Sequence, residues 1–183
     1  MPKSNVSAFN LPNALTSLRI LSIPFFASML IYRQHRWALV VFVLASISDA
    51  LDGLIARLTK KQTRLGQFLD PTADKFLLIT SFILFSYYGW VPTWLTIGII
   101  TRDVIVVVGW GLFYLVHHVA FVKPSFMGKF AIAFQMVLVA YVLLKINFPE
   151  ILPEPTLIVW VTASATIASG LHYIYRGFKY TSE

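Results

Sequence analysis

One hundred and eighty-three residues, 57% of them hydrophobic and only 13% charged, make up this chain. A soluble domain runs at about 45–50% apolar and about 25% charged. Composition and a mean hydropathy of +0.72 therefore exclude a soluble enzyme, a disordered tail and a coiled coil. They leave an all-α integral membrane protein, a single transmembrane domain over 1–183 with room for roughly six helical spans at about 20 apolar residues each. The net charge of +7 reads as cytoplasmic loops beside anionic lipid, with no nucleic acid as partner. The absence of cysteine excludes disulfides, thiolate metal sites and a cysteine nucleophile.

The opening residues, MPKSNVSAFN, are polar and lack the charged-then-apolar pattern of a signal peptide. The first predicted span covers 11–32; Asn10-Leu11-Pro12-Asn13 supplies a capping residue and an early proline, and Arg33-Gln34-His35-Arg36 closes it. The second covers 37–58 and takes in Asp49, Asp52 and Arg57, before a polar link at 59–64. Between Phe76 and Thr101 the chain is uncharged, too long for one comfortable span and too short for two. Gly89-Trp90-Val91-Pro92 is the turn signal inside it. A turn there predicts spans over 70–88 and 92–117 and puts Arg102 and Asp103 inside the fourth. A turn at Arg102-Asp103 instead would leave Pro92 in mid-helix, which is costly. The last two spans are predicted over 127–146 and 157–175, joined by the proline- and glutamate-bearing segment 148–155. The adjacent pair His117-His118 ends the fourth span, and the many aromatic residues read as core and interface belt.

Loop charges set the orientation. Lys3, Lys60, Lys61, Arg64, Lys123, Arg176 and Lys179 fall on one side, Arg33, Arg36 and Lys145 on the other. The positive-inside rule puts the first side, with both termini, in the cytoplasm of a multi-pass cell-membrane protein.

The chain has eight acidic residues, and Asp49, Asp52, Asp70 and Asp74 gather on the two helices flanking one cytoplasmic loop. Asp49 and Asp52 are three apart, Asp70 and Asp74 four apart, so each pair shares a helix face. Isolated acids at helix ends are commonly solvated or paired, and Arg57 and Lys75 could serve as partners. Four together in so acid-poor a chain are another matter, since each charge at membrane depth costs about 2.5–3.5 kcal/mol and like charges add to that. Cations stabilise such a cluster, and oxygen donors without His or Cys select Mg²⁺, Mn²⁺ or Ca²⁺. A pair of such ions suits a pyrophosphate-bearing substrate. Gly53, Ala56 and Gly66 fit a ligand approaching the same face, or else close helix packing; Arg57 can hold phosphate oxygens.

The string Asp49-x2-Asp52-Gly53-x2-Ala56-Arg57-x8-Gly66-x3-Asp70-x3-Asp74 resembles the signature of the CDP-alcohol phosphotransferase family at every fixed position and every gap. The resemblance implies six transmembrane helices around a cytoplasm-facing polar cavity, a homodimer, and transfer of a substituted phosphate from a CDP-linked donor to an alcohol with release of CMP. It makes Asp49, Asp52, Asp70 and Asp74 the ligands of two divalent cations, Mg²⁺ or Mn²⁺, and Asp74 also the general base. Asp52, Gly53, Ala56, Arg57 and Gly66 would bind the CDP moiety.

Asn10-x-Pro12-Asn13-x-Leu15-Thr16-x2-Arg19 and the segment 66–75 look like the branches that make phosphatidylglycerophosphate and cardiolipin from CDP-diacylglycerol. Ser125-Phe126-Met127-Gly128-Lys129 is similar to the first branch, with glycerol 3-phosphate as acceptor. Ala131-Ile132, where that branch usually has Lys-Thr, and Thr101-Arg102-Asp103-Val104 lie nearer to the second, with phosphatidylglycerol as acceptor. Both acceptors carry a phosphate, and Arg102 and Lys129 are the candidate cations for it, against a reading of Arg102 as merely paired with Asp103. The contrasting reading of the whole chain is a cation or proton transporter, which would spread its acids over several spans and often carry an inverted repeat; neither is visible.

Overall fold

The computed structural model describes the backbone of residues 11–59, 64–117 and 126–181, and the side chains of residues 19–48, 74–109, 111 and 126–176. It is all-helical, with no strand among the described residues: α1 Leu11–Ile31, α2 His35–Thr59, α3 Arg64–Tyr87, α4 Thr93–His117, α5 Phe126–Asn147 and α6 Thr156–Thr181. Lys60, Lys61, His118, Lys123 and Ser125, used in the sequence reading, lie outside the described residues, as do the first ten positions.

Local chemistry sets the helix ends. At the close of α1, Gln34 N donates to Met29 O at 2.8 Å and Arg33 N to Leu30 O at 3.1 Å, the paired bonds of a Schellman cap. The cap requires a left-handed residue at its last position but one, and Arg33 takes it, at φ 58°. The same device ends α3: Trp90 N donates to Phe85 O at 2.8 Å and Gly89 N to Ser86 O at 3.1 Å, with Gly89 at φ 73°. The apolar contact that accompanies such caps is the edge of Trp90 against Phe85, ring centroids 5.7 Å apart. The chain therefore turns where Gly89-Trp90-Val91-Pro92 signals it, and Arg102 and Asp103 lie inside α4. Pro92 and Pro155 stand just before α4 and α6, and their carbonyls accept from Leu95 N at 3.0 Å and Val159 N at 2.9 Å. A proline there surrenders no helical bond. α3 begins at Arg64, ahead of the start near Asp70 expected from membrane length, and α6 runs past Tyr175 to Thr181. Apolar length measures what a bilayer would cover, whereas helical hydrogen bonding continues into polar residues of adequate propensity.

The chain divides into two compact units, one reaching to Leu84 and one beginning at Phe85, so the boundary falls within α3. In the first unit α1 packs on α2. Phe26 and Leu30 are fully buried, as is Ala38, and Phe26 meets Phe42 at a centroid distance of 6.3 Å. In the second, α6 packs on both α4 and α5, burying Leu95 and Ile99 of α4, Leu138, Val139 and Leu143 of α5, and Val159 and Ala163 of α6.

Polarity is distributed in reverse of a water-soluble bundle. Leu21 and Phe25 are each 61% exposed while Arg19, on the same helix, is 2% exposed. Large apolar side chains also face outward on α4 (Val104, Val107, Val108) and α6 (Leu157, Trp160, Ile167, Leu171). So much exposed apolar surface is that of a protein in contact with lipid. Serine hydroxyls without water satisfy themselves within their own helix: Ser28 donates to Pro24 O at 2.8 Å, Ser46 to Phe42 O at 2.9 Å and Ser81 to Leu77 O at 2.7 Å. Among the described residues, two helical segments are long and apolar enough to cross a bilayer, Phe126–Asn147 and Thr156–Arg176, while α1 and α2 contribute shorter apolar stretches, Arg19–Ile31 and His35–Ser48. The link between α5 and α6 is organised by Lys145, whose ammonium donates to the carbonyls of Pro149 at 3.0 Å and Leu152 at 2.7 Å and pairs with Glu154 at 3.3 Å.

The conformational demand at Gly89 is testable against a glycine that carries none. Neither Gly89 nor Gly98 would bring an added Cβ within 4 Å of another group, but only Gly89 has positive φ. Gly89→Ala should lower unfolding stability in detergent by about 1 kcal/mol, and Gly98→Ala, in mid-helix, should cause no loss. Equal losses at the two positions would remove the conformational argument.

Candidate active site

Asp49, Asp52, Gly53, Ala56 and Arg57 all lie within α2, and Gly66, Asp70 and Asp74 within α3. The backbone is helical through both motif halves, so the three-residue spacing on α2 and the four-residue spacing on α3 each bring their two aspartate positions to one helix face. The side chains of Asp49, Asp52, Ala56, Arg57 and Asp70 lie outside the described residues, as does the surrounding of Gly53 and Gly66. Among the described residues no group of three or more His, Cys, Asp or Glu side chains is assembled.

Asp74 is the motif aspartate whose side chain is described, and α1 meets it. Arg19 Nη1 donates to Asp74 Oδ1 at 2.8 Å; the arginine side chain is 1% exposed and the aspartate 24%. Arg57 and Lys75 were the counter-charges visible within the motif region. Arg19 adds one from 55 positions upstream, and the side chain of Arg57 lies outside the described residues. In sequence Arg19 is the last position of the opening motif; it is also the sole charge between Leu11 and Tyr32, and an arginine in an apolar helix needs an internal partner.

The second unit holds its own buried cation. Arg102 of α4 is 5% exposed. Its Nη1 donates to Asp103 Oδ1 at 2.6 Å, while Nε and Nη2 donate to Ser169 Oγ of α6 at 3.2 Å and 2.6 Å. The guanidinium carbon lies 5.5 Å from the centroid of the Tyr173 ring, within cation–π range. The pairing with Asp103 foreseen from sequence is present, and Ser169 and Tyr173, which the sequence reading passed over, are the further partners. Their signal was a run of hydroxyls, Thr162, Thr166, Ser169 and Tyr173, at helical spacing on one face of α6. Thr162, Thr166 and Ser169 are all buried; Thr166 Oγ1 accepts from Gln135 at 3.3 Å, and Thr162 donates to Phe134 O at 3.3 Å.

Gly128 of α5 closes the cluster. A Cβ there would lie 3.0 Å from Tyr173 Oη and 3.1 Å from Arg102 Nη2. Lys129, one position on and so turned by about 100°, is exposed. Of the two candidate acceptor cations, then, one is enclosed by protein groups and the other is at the surface.

Residues 9–169 match the family model described as CDP-alcohol phosphatidyltransferase. The chain belongs to that family. This makes it a transferase, and the match takes in Arg19, all four aspartates and the Arg102–Ser169 contact. A CDP-diacylglycerol–glycerol-3-phosphate 3-phosphatidyltransferase of Bacillus subtilis (strain 168) is 31% identical over 93% of this chain and 96% of that protein. A CMP-forming cardiolipin synthase of Homo sapiens is 32% identical over 97% of this chain and 65% of that protein. A probable phosphatidylglycerophosphate synthase of Mycobacterium tuberculosis (strain CDC 1551 / Oshkosh) is 33% identical over 93% of this chain and 82% of that protein.

The Arg19–Asp74 pair generates a stability test. Removing one partner of a fully buried pair costs roughly 3–5 kcal/mol, whereas replacing both by apolar groups is often neutral. With Asp74 partly exposed, Arg19→Met should destabilise by about 2–3 kcal/mol, and the Arg19→Met/Asp74→Leu double variant should regain most of that loss. Additive losses in this cycle, measured by unfolding in detergent, would mean that the pair is not energetically coupled.

Proposed function

We propose that this enzyme moves the phosphatidyl group of CDP-diacylglycerol to the hydroxyl of glycerol 3-phosphate, giving phosphatidylglycerophosphate and CMP. The observation that carries this reading is the full spacing of Asp49, Asp52, Asp70 and Asp74 on two continuous helices, with the buried Arg19 cation set against the last of them. The glycerol 3-phosphate choice is supported by the names of the B. subtilis and M. tuberculosis relatives and by Gly128-Lys129.

The acceptor hydroxyl oxygen forms a bond to the phosphatidyl phosphorus, and the bond from that phosphorus to the bridging oxygen of CMP breaks. Asp74 takes the acceptor's proton as general base. One acceptor site on its Oδ1 is already used by Arg19; a carboxylate offers about four, so the proton and the guanidinium need not compete for one lone pair. The two carboxylate pairs form an all-oxygen donor set, which fits hard divalent cations such as Mg²⁺ or Mn²⁺, and Asp49, Asp52, Asp70 and Asp74 would hold them. What such cations supply when bound is neutralisation of the diphosphate, polarisation of the phosphorus and stabilisation of departing CMP. Asp52, Gly53, Ala56, Arg57 and Gly66 bind the CDP moiety, with Arg57 on phosphate oxygens. Arg102 and Lys129 bind the acceptor's phosphate.

All six helices span the cell membrane in this reading, with both termini in the cytoplasm, and the enzyme works as a homodimer. The apolar outer surface and the positive bias of the loops support it. Transfer to phosphatidylglycerol, giving cardiolipin, is the second reading. It is favoured by Ala131-Ile132, at the positions where the first branch usually has Lys-Thr, and by the H. sapiens relative.

Mass spectrometry of the products formed from labelled CDP-diacylglycerol tests the acceptor. Phosphatidylglycerophosphate from glycerol 3-phosphate is expected, with turnover abolished by a chelator and restored by Mg²⁺ or Mn²⁺. Asp74→Asn should lose essentially all CMP release while keeping the fold. Cardiolipin from phosphatidylglycerol without any turnover of glycerol 3-phosphate would replace the acceptor and leave the metal and base assignments standing.

A further inference from the structure

The sixth helix carries none of the motif aspartates, yet it supplies the groups that hold Arg102. A guanidinium is a flat fork with five N–H donors, and three independent constraints act on this one. Ser169 Oγ takes two of its N–H groups along one edge, from Nε at 3.2 Å and from Nη2 at 2.6 Å. Asp103 takes one at the tip, from Nη1 at 2.6 Å. The Tyr173 ring supports the group at 5.5 Å. Edge, tip and ring contact together fix its place and its plane. One N–H on each terminal nitrogen makes no hydrogen bond among the described residues, and each can still donate to a phosphate oxygen.

Gly128 adds a fourth constraint. With a Cβ only 3.0 Å from Tyr173 Oη and 3.1 Å from Arg102 Nη2, any larger residue there would push both side chains. The glycine therefore lets the start of α5 come up to the ring and the guanidinium without moving them.

We propose that Ser169 and Tyr173 of α6 are positioning residues for the acceptor, acting through Arg102 by holding its guanidinium in a single orientation for a phosphate-bearing substrate. This rests on the reading of Arg102 as the acceptor-phosphate cation. Ser169 fixes the edge of the fork and Tyr173 supports it, so the acceptor's KM depends on two side chains that need not touch the acceptor. The donor's KM does not.

The test is a kinetic double-mutant cycle on the full-length enzyme in detergent, with glycerol 3-phosphate and CDP-diacylglycerol varied separately. Ser169→Ala should raise the KM for glycerol 3-phosphate by about tenfold, the scale of one hydrogen bond to a charged group, with the KM for CDP-diacylglycerol unchanged. Ser169→Thr, which keeps the hydroxyl, should restore the acceptor KM to within about threefold of the parent enzyme. Tyr173→Leu should act in the same direction as Ser169→Ala. In an Arg102→Ala background Ser169→Ala should have no further effect, because a residue acting through Arg102 has nothing left to position. Multiplicative losses in the double variant, or an unchanged acceptor KM in Ser169→Ala, would overturn the inference while leaving Arg102 as a phosphate ligand. An unchanged acceptor KM in Arg102→Ala itself would overturn the acceptor-phosphate reading and this inference with it. Phosphatidylglycerol takes the place of glycerol 3-phosphate in the same cycle if product analysis identifies it as the acceptor.

Discussion

A charge inside an apolar helix must be answered by another group of the protein, because lipid offers nothing to answer it with. That constraint organises both units of this chain. Arg19 lies in an otherwise uncharged stretch of α1 and is met by Asp74 of α3 at 2.8 Å. Arg102 lies in α4 and is met by Asp103 at 2.6 Å, by a serine hydroxyl and by an aromatic ring. Neither arrangement is an efficient source of stability, since desolvating two charges offsets most of their attraction. Buried ionic groups that contribute little to folding are best understood by what they position, and both of these belong to the functional reading of the enzyme.

The polar interior extends beyond the charges. Thr162, Thr166 and Ser169 run along one face of α6, each with a partner on α4 or α5. In a helix pair surrounded by apolar side chains, such bonds fix rotation and register more than they add stability, because the alternatives leave a buried donor or acceptor unsatisfied. The polar stripe and the small residue Gly128 thus do for the second unit what the aspartate spacing does for the first. They determine which side chains the packed helices bring together.

The turns follow from equally local causes. Arg33 and Gly89 occupy equivalent places in two Schellman caps, at φ 58° and 73°, although only the second is the residue type that adopts this conformation without strain. Pro92 and Pro155 begin their helices rather than interrupting them. Pro24 and Pro71 stand inside α1 and α3, and the carbonyl of Pro24 also accepts from the Ser28 hydroxyl at 2.8 Å.

Composition alone determined that the chain is helical and apolar on its outside, because few charged residues and long uncharged runs admit little else. Spacing alone determined the motif on α2 and α3: Asp49 and Asp52, and Asp70 and Asp74, share faces by helical geometry whatever surrounds them. The turn at Gly89–Pro92 was legible because a glycine and a proline each have one inexpensive use there. What the sequence did not determine is which distant residues answer the buried charges. Arg19 is 55 positions from Asp74 along the chain and still meets it, because helices pack by faces and not by sequence distance. Ser169 and Tyr173 were ordinary helix residues until α6 packed on α4 and α5. A hydroxyl becomes a positioning group only when tertiary packing encloses a guanidinium against it, and a separation of 67 positions hides that relation from any local pattern.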